Sequence, residues 1–344
     1  MFEITLLSGG YRGRDVQQQN ERVRNFAGPT SVNGRPEGST LTVGVAWTAF
    51  VIAALLLLDV FGDTAYGTVV LGSALVLSAV LLIVPAGRAA MAWVRLDVDW
   101  KDMATLAVVY LVVVGMFSLA FQVFTTGNVL GLFLSFGGAL VIGVAAPVYY
   151  MVWYRGRSLQ DLGLGLHNWR RTLVLALSFA ATQFAITLWG FNLPQPVDWV
   201  PLLVMALAVG AFESVFFRGF IQGRLEASFG TLPSVAGASL LYALYHVGYG
   251  MNLNEMAFLF GLGIVYAVAY RLTENLLVLW PLFTPLGSFF AQLNSGMLEG
   301  ELPWASIAGF ADVLGLIVLV LVLAHRHETG KSRRRRRVPE LVAP

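Results

Sequence analysis

The sequence predicts an all-α, polytopic integral membrane protein with about ten transmembrane helices, and three observations carry that expectation. Of 344 residues, 57% are hydrophobic and only 12% are charged, against about 25% charged in an average soluble domain. Ten stretches come close to the ~20 mostly apolar residues that a helix needs to cross a bilayer. Every lysine and arginine then falls on one side of the topology those stretches define. A mean hydropathy of +0.71 leaves too little polar surface for a soluble enzyme, a nucleic-acid-binding domain or a disordered chain. The absence of cysteine excludes disulfides, thiolate metal sites and a cysteine nucleophile.

The spans read Leu41–Phe61, Ala65–Gly87, Met103–Phe124, Val129–Tyr154, Leu173–Gly190, Pro201–Ile221, Thr231–Gly250, Glu255–Tyr270, Asn275–Gln292 and Trp304–Ala324. The eighth and ninth are short and divided only by Arg271–Glu274. Arginines and lysines cluster before span one, between two and three, four and five, at the end of six, between eight and nine, and after ten. The alternate loops, Gly62–Thr64, Thr125–Asn128, Phe191–Val200, Met251–Asn254 and Asn294–Pro303, hold none. Both termini are therefore expected in the cytoplasm of a cell (plasma) membrane, taken as a prokaryotic inner membrane. Residues 1–40 are polar and lack the apolar core of a cleavable signal peptide. They read as a cytoplasmic tail. At the other end, Arg333, Arg334, Arg335, Arg336 and Arg337 form a polybasic run suited to anionic lipid headgroups, or to an acidic partner.

A charge in the hydrocarbon costs at least ~2.5–3.5 kcal/mol, so intramembrane polar residues point to function. Asp59, Glu213 and Asp312 qualify, with His246, Gln122 and Gln183. Asp59 lies near the outer end of its span, and Asp312 fits a hydrogen bond to another helix. Glu213 and Arg218 are five residues apart, about 140° around an α-helix, so Arg218 is expected at the interface while Glu213 faces inward. Tyr242 and His246 share a face one span later. A carboxylate and an imidazole on consecutive helices can hold and deprotonate a water; equally, a Glu–His bond can lock two helices together. Both readings stand at this point.

Glu213-Ser214-Val215-Phe216-Phe217-Arg218-Gly219 resembles the Glu-Glu-x-x-x-Arg motif of the CPBP family (CAAX proteases and bacteriocin-processing, or Abi, proteins), intramembrane endopeptidases related to type II CAAX prenyl proteases. Tyr242-x-x-x-His246 is similar to its second motif, Phe-x-x-x-His, and Asp161 to Leu166 with Trp169 resembles the segment before its core. The likeness covers roughly Arg155 to Gln292, placing a CPBP-like core in helices five to nine. It implies that Glu213 activates water, that His246 is its partner and that Arg218 organises the helix end, with Tyr242 standing where the family has phenylalanine. No metal and no cofactor are implied; the partners are lipid and a membrane-associated peptide or protein, not nucleic acid.

Two departures qualify the likeness. Ser214 replaces the second glutamate, and span nine has no histidine for the third motif, whose residues steady the oxyanion. Thr284 and Ser288, four apart, are the hydroxyls available there. The chain therefore divides into a polar tail at 1–40, four spans at 41–154, the core at 155–292, a last span at 293–324 and a basic tail at 325–344. Three functions follow: an intramembrane endopeptidase; an inactive relative, a pseudoenzyme serving as scaffold or complex subunit; or a transporter using Glu213 and Asp312 as proton sites. Small residues at four-spacing, Ala139 with Gly143 and Ala206 with Gly210, predict close helix packing. Ser158–Arg171 reads as an amphipathic interfacial helix with a capping box at Ser158 and Asp161. His325 and His327 read as part of the basic tail.

Overall fold

The computed structural model describes residues 98–125, 128–167, 169–188, 196–294 and 315–330, with isolated positions between 49 and 83. The two tails, most of spans one and two, Asp59, Asp312 and Arg333 to Arg337 lie outside the described residues. Helix makes up 87% of the structure, and no strand occurs among the described residues.

Helix α1 (Trp100–Val123) starts where Asp99 accepts the backbone N–H groups of Lys101 and Asp102, at 3.0 and 3.3 Å. Such an acceptor satisfies donors that the first turn leaves open. Asn128 caps α2 (Val129–Tyr154) in the same way, through the Leu130 N–H at 2.8 Å. These two helices and 255–273 are long and apolar enough to cross a membrane; the first two match expected spans three and four to within three residues. Next come α3 (Trp169–Leu188) and α4 (Pro196–Glu213). The chain continues from α4 through a π-helical stretch (Ser214–Gln222) into α5 (Gly223–Phe229). Helix α6 (Thr231–Leu244) tightens into a 3₁₀ turn at Tyr245–Tyr249. Helices α7 (Leu253–Thr273), α8 (Phe283–Asn294) and α9 (315–330) complete the described chain.

Two local expectations are corrected. Span nine is not one helix: a short turn at Leu276–Val278 precedes α8, of which 12 residues are described. Pro281 stands before α8 and Pro285 in its first turn, where the missing N–H costs least. Nor is Ser158–Arg171 an interfacial helix. Its capping box forms, but it closes a single turn, Leu159–Leu162, which Gly163 ends at φ +73°. Leu159 and Leu162 are buried in the protein, while Leu166 and Trp169 are exposed.

This turn packs directly on the motif helix. A side chain at Gly219 would place its Cβ 2.5 Å from the Leu162 carbonyl oxygen, so only glycine admits that approach. The Gly163 carbonyl in turn accepts the Leu276 N–H at 2.9 Å. Close packing at the small residues also forms: a Cβ at Gly143 would lie 2.3 Å from the Phe212 ring, and one at Gly210 2.7 Å from Pro285. Helix α1 is joined to the turn after α6, because Gln122 donates to the Val247 and Gly248 carbonyls at 2.7 and 3.0 Å. Tyr110 donates to the Leu241 carbonyl at 3.0 Å. Phe117 completes the contact, its ring 5.6 Å from Phe212 and 5.3 Å from Tyr249. Helix α1 thus packs directly on the segment that carries Tyr245 and Tyr249.

Candidate active site

Glu213 ends α4 and is 6% exposed. Tyr245 donates to its Oε1 at 2.5 Å, and Tyr242 approaches Oε2 at 3.4 Å. His246 is equally buried, on the 3₁₀ turn that follows α6. Its Nδ1 lies 2.8 Å from the Tyr242 carbonyl oxygen. A carbonyl can only accept, so that nitrogen carries the proton and a neutral ring keeps Nε2 as an acceptor. Glu213 and His246 are therefore linked indirectly through Tyr242, which donates its hydroxyl to one and accepts at its backbone carbonyl from the other. The rings of Tyr245, Tyr242 and Tyr249 surround the imidazole, with centroids 4.0, 5.2 and 5.5 Å away.

Arg218 departs from its expected place. It is 1% exposed, enclosed by protein, and its guanidinium carbon sits 5.1 Å from the centre of the Tyr242 ring. The reason is the winding of the backbone. Ser214–Gln222 is π-helical, and i→i+5 hydrogen bonding turns residues five apart toward one side. The α-helical spacing of 140° does not apply there. Tyr242 consequently carries Glu213 at its hydroxyl and Arg218 on its ring face.

Thr284 is buried, and the Ser214 hydroxyl approaches its Oγ1 at 3.5 Å, the outer limit of a hydrogen bond. That contact seats α8 beside the residue after Glu213. Ser288 is half-buried one turn further along. Among the described residues, no three His, Asp or Glu side chains converge as metal ligands do. His327 packs its ring 5.2 Å from Trp153.

Two groups escaped the sequence reading. Tyr245 is one, although Tyr242, Tyr245 and Tyr249 recur at spacings of three and four, as residues lining one face do. The other is Asp102, 2% exposed, which accepts the Tyr150 hydroxyl at 2.6 Å and Arg224 Nη1 at 3.3 Å and forms an ion pair with Arg155 Nε at 3.2 Å. Arg224 follows the π-helical stretch directly, so this network fastens the far end of the motif helix to α1 and α2. Asp99 also pairs with Arg155. Burial would raise the Asp99 carboxyl, but hydrogen bonds from Arg155 and the backbone outweigh it and hold the carboxyl below the usual range. Burial and the nearby Arg157 push the Arg224 guanidinium down, while Asp102 opposes them.

No curated protein and no solved structure matches the chain. Residues 194–283 match the family model described as Type II CAAX prenyl endopeptidase Rce1-like. The match includes Glu213, Arg218, Tyr242 and His246, and it stops one residue before Thr284. With its long apolar helices, the chain is an integral membrane protein. Over residues 194–283 it is similar to the type II CAAX prenyl endopeptidase Rce1-like family, the likeness that the Glu213 and His246 motifs also carry.

Proposed function

We propose that the protein is a glutamate-type intramembrane endopeptidase, hydrolysing a membrane-associated peptide or protein with water activated by Glu213 and His246. The observation that carries this reading is the Glu213 carboxylate, buried in an apolar bundle and oriented by the Tyr245 hydroxyl at 2.5 Å, with the His246 ring packed on the same Tyr245, centroids 4.0 Å apart. A buried carboxylate that served packing alone would cost free energy an apolar side chain would not. In the proposed reaction, water donates a proton to Glu213 as its oxygen adds to the peptide carbonyl. His246 Nε2 accepts the water's second hydrogen bond and orients it. Collapse of the adduct reforms the carbonyl, breaks the C–N bond and passes the proton from Glu213 to the leaving nitrogen.

The remaining assignments extend the same reading. Thr284 and Ser288 supply hydroxyls on the α8 side. In this reading the chain has ten spans with both termini cytoplasmic, belongs to a prokaryotic inner membrane, and uses Arg333 to Arg337 to meet anionic lipid.

The test compares wild type with Glu213→Gln, which keeps the side chain's shape and removes the base. After mild-detergent purification and mass spectrometry, a protein retained only by the variant, and cut in wild-type membranes, is expected. A partner held in equal, stoichiometric amounts by both forms would overturn catalysis and make the chain a subunit of a complex.

A further inference from the structure

The proposed reaction develops a negative oxygen, and the site holds a buried cation whose terminal nitrogens that reaction has not yet used. Arg218 is 1% exposed, and its Nη1 and Nη2 have no hydrogen-bond partner among the described residues. Two nitrogens with unused N–H bonds in a buried, permanently charged group are costly to maintain. The guanidinium is nonetheless held in position, against the face of Tyr242, 5.1 Å from the ring centre. The Tyr242 and Tyr245 hydroxyls are turned to Glu213 and do not serve it. Gly219, the next residue, is fixed under the Leu162 carbonyl, which holds the backbone that carries Arg218.

We propose that Arg218 is the oxyanion donor of this site, its Nη1 and Nη2 groups binding the negative oxygen that forms when water adds to a peptide carbonyl beside Glu213. The proposal rests on the endopeptidase reading above. As the water oxygen bonds to the carbonyl carbon, the π pair of the C=O moves onto oxygen, and the water proton goes to Glu213. The resulting O⁻ accepts from Arg218. When the pair returns, the C–N bond breaks, the proton passes to nitrogen, and a carboxylic acid and an amine leave. A planar two-donor fork suits this task better than a hydroxyl, since bonds from an ionised donor are about twice as strong as neutral ones.

The experiment measures new peptide N-termini over time in membranes containing wild type, Glu213→Gln, Arg218→Gln or Arg218→Lys, taking the Glu213-dependent set as the activity. Arg218→Gln is expected to lower that rate by roughly 10²–10³-fold, the usual effect of losing an oxyanion donor. Arg218→Lys keeps the charge without the fork, and loses less. In the Glu213→Gln background no oxyanion forms, so adding either Arg218 change should leave the amount of trapped substrate unaltered. Wild-type cleavage rates in both Arg218 variants would overturn the proposal and leave the endopeptidase reading standing. Loss of trapping together with activity, in the lysine variant as in the glutamine one, would make Arg218 structural and overturn the proposal too. Absence of any Glu213-dependent cleavage in wild type would overturn the endopeptidase reading itself.

Discussion

Replacing Asp102 with asparagine removes a charge that three groups share. Its carboxylate accepts the Tyr150 hydroxyl at 2.6 Å and Arg224 Nη1 at 3.3 Å and forms an ion pair with Arg155 Nε at 3.2 Å. Asparagine keeps one acceptor oxygen and turns an NH₂ group toward a donor, so about two of these contacts are lost. Bonds to charged groups contribute about 1.5–3 kcal/mol each, and breaking a buried pair on one side costs about 3–5 kcal/mol. The two estimates agree on about 3–5 kcal/mol, on the order of 10²–10⁴ in the unfolding equilibrium. Asp99→Asn is the control, because it strips the same Arg155 of a partner whose side chain is 34% exposed; such pairs contribute about 0–1 kcal/mol. Urea unfolding in mixed micelles, followed by tryptophan fluorescence, measures both. The orphaned Arg224 is the main source of the cost, so Asp102→Asn with Arg224→Gln should lose clearly less than the two single losses added. Equal effects for Asp99→Asn and Asp102→Asn, or strict additivity in the double variant, would refute the buried-network argument.

Other perturbations follow from the same coordinates. Gly143→Ala puts a methyl 2.3 Å from the Phe212 ring; overpacking of that kind costs about 1–3 kcal/mol, and Phe212→Leu should restore part of it in thermal unfolding. Tyr245→Phe keeps the ring but removes the donor 2.5 Å from Glu213. A bond of about 1.5–3 kcal/mol to a charged group corresponds to a fall of about 10–100-fold in Glu213-dependent cleavage, with little change in melting temperature. Asp99 has a lowered folded-state carboxyl, so its contribution is present above the unfolded value, about 3.9, and is lost as pH falls through the lower folded one. Stability measured between pH 6 and pH 2 should therefore decline less steeply on the acid side in Asp99→Asn.

What the sequence made legible, and what it hid, divides along one physical line. Hydropathy alone located α1 and α2 to within a few residues, because burial of apolar length is additive along the chain. Glu213 and His246 stood out because each interrupts an apolar span. Arg218 was misplaced because a helical wheel assumes 100° per residue, and no periodicity announces that Ser214–Gln222 winds as a π-helix. Asp102 lies at the edge of a span, where a charge reads as interfacial; its burial depends on α2 and α5, which no local pattern reveals. Tyr245 was passed over because a tyrosine in an apolar helix reads as packing. Span nine was drawn as one helix, since apolar content masked the effect of Pro281 and Pro285, and Leu159 and Leu162 face protein where their amphipathic spacing suggested lipid.

The unequal satisfaction of the two buried charges bears on the proposed reaction. Glu213 receives two tyrosine hydroxyls, and bonds of that type offset much of what its desolvation costs. Arg218 has the Tyr242 ring, a cation–π contact of about 2 kcal/mol when desolvated, and the attraction of the Glu213 charge without a hydrogen bond to it, against a penalty of several kcal/mol for a buried ion. The arginine is thus the less compensated partner, and whatever negative charge enters the site gains the difference. A resting peptide carbonyl is neutral and collects little of it, whereas a tetrahedral oxyanion collects most. Interaction energy withheld from the bound substrate and released at the transition state raises turnover without tightening binding. A site that kept Arg218 only to hold helices together would have no reason to leave its two terminal nitrogens without a hydrogen-bond partner among the described residues.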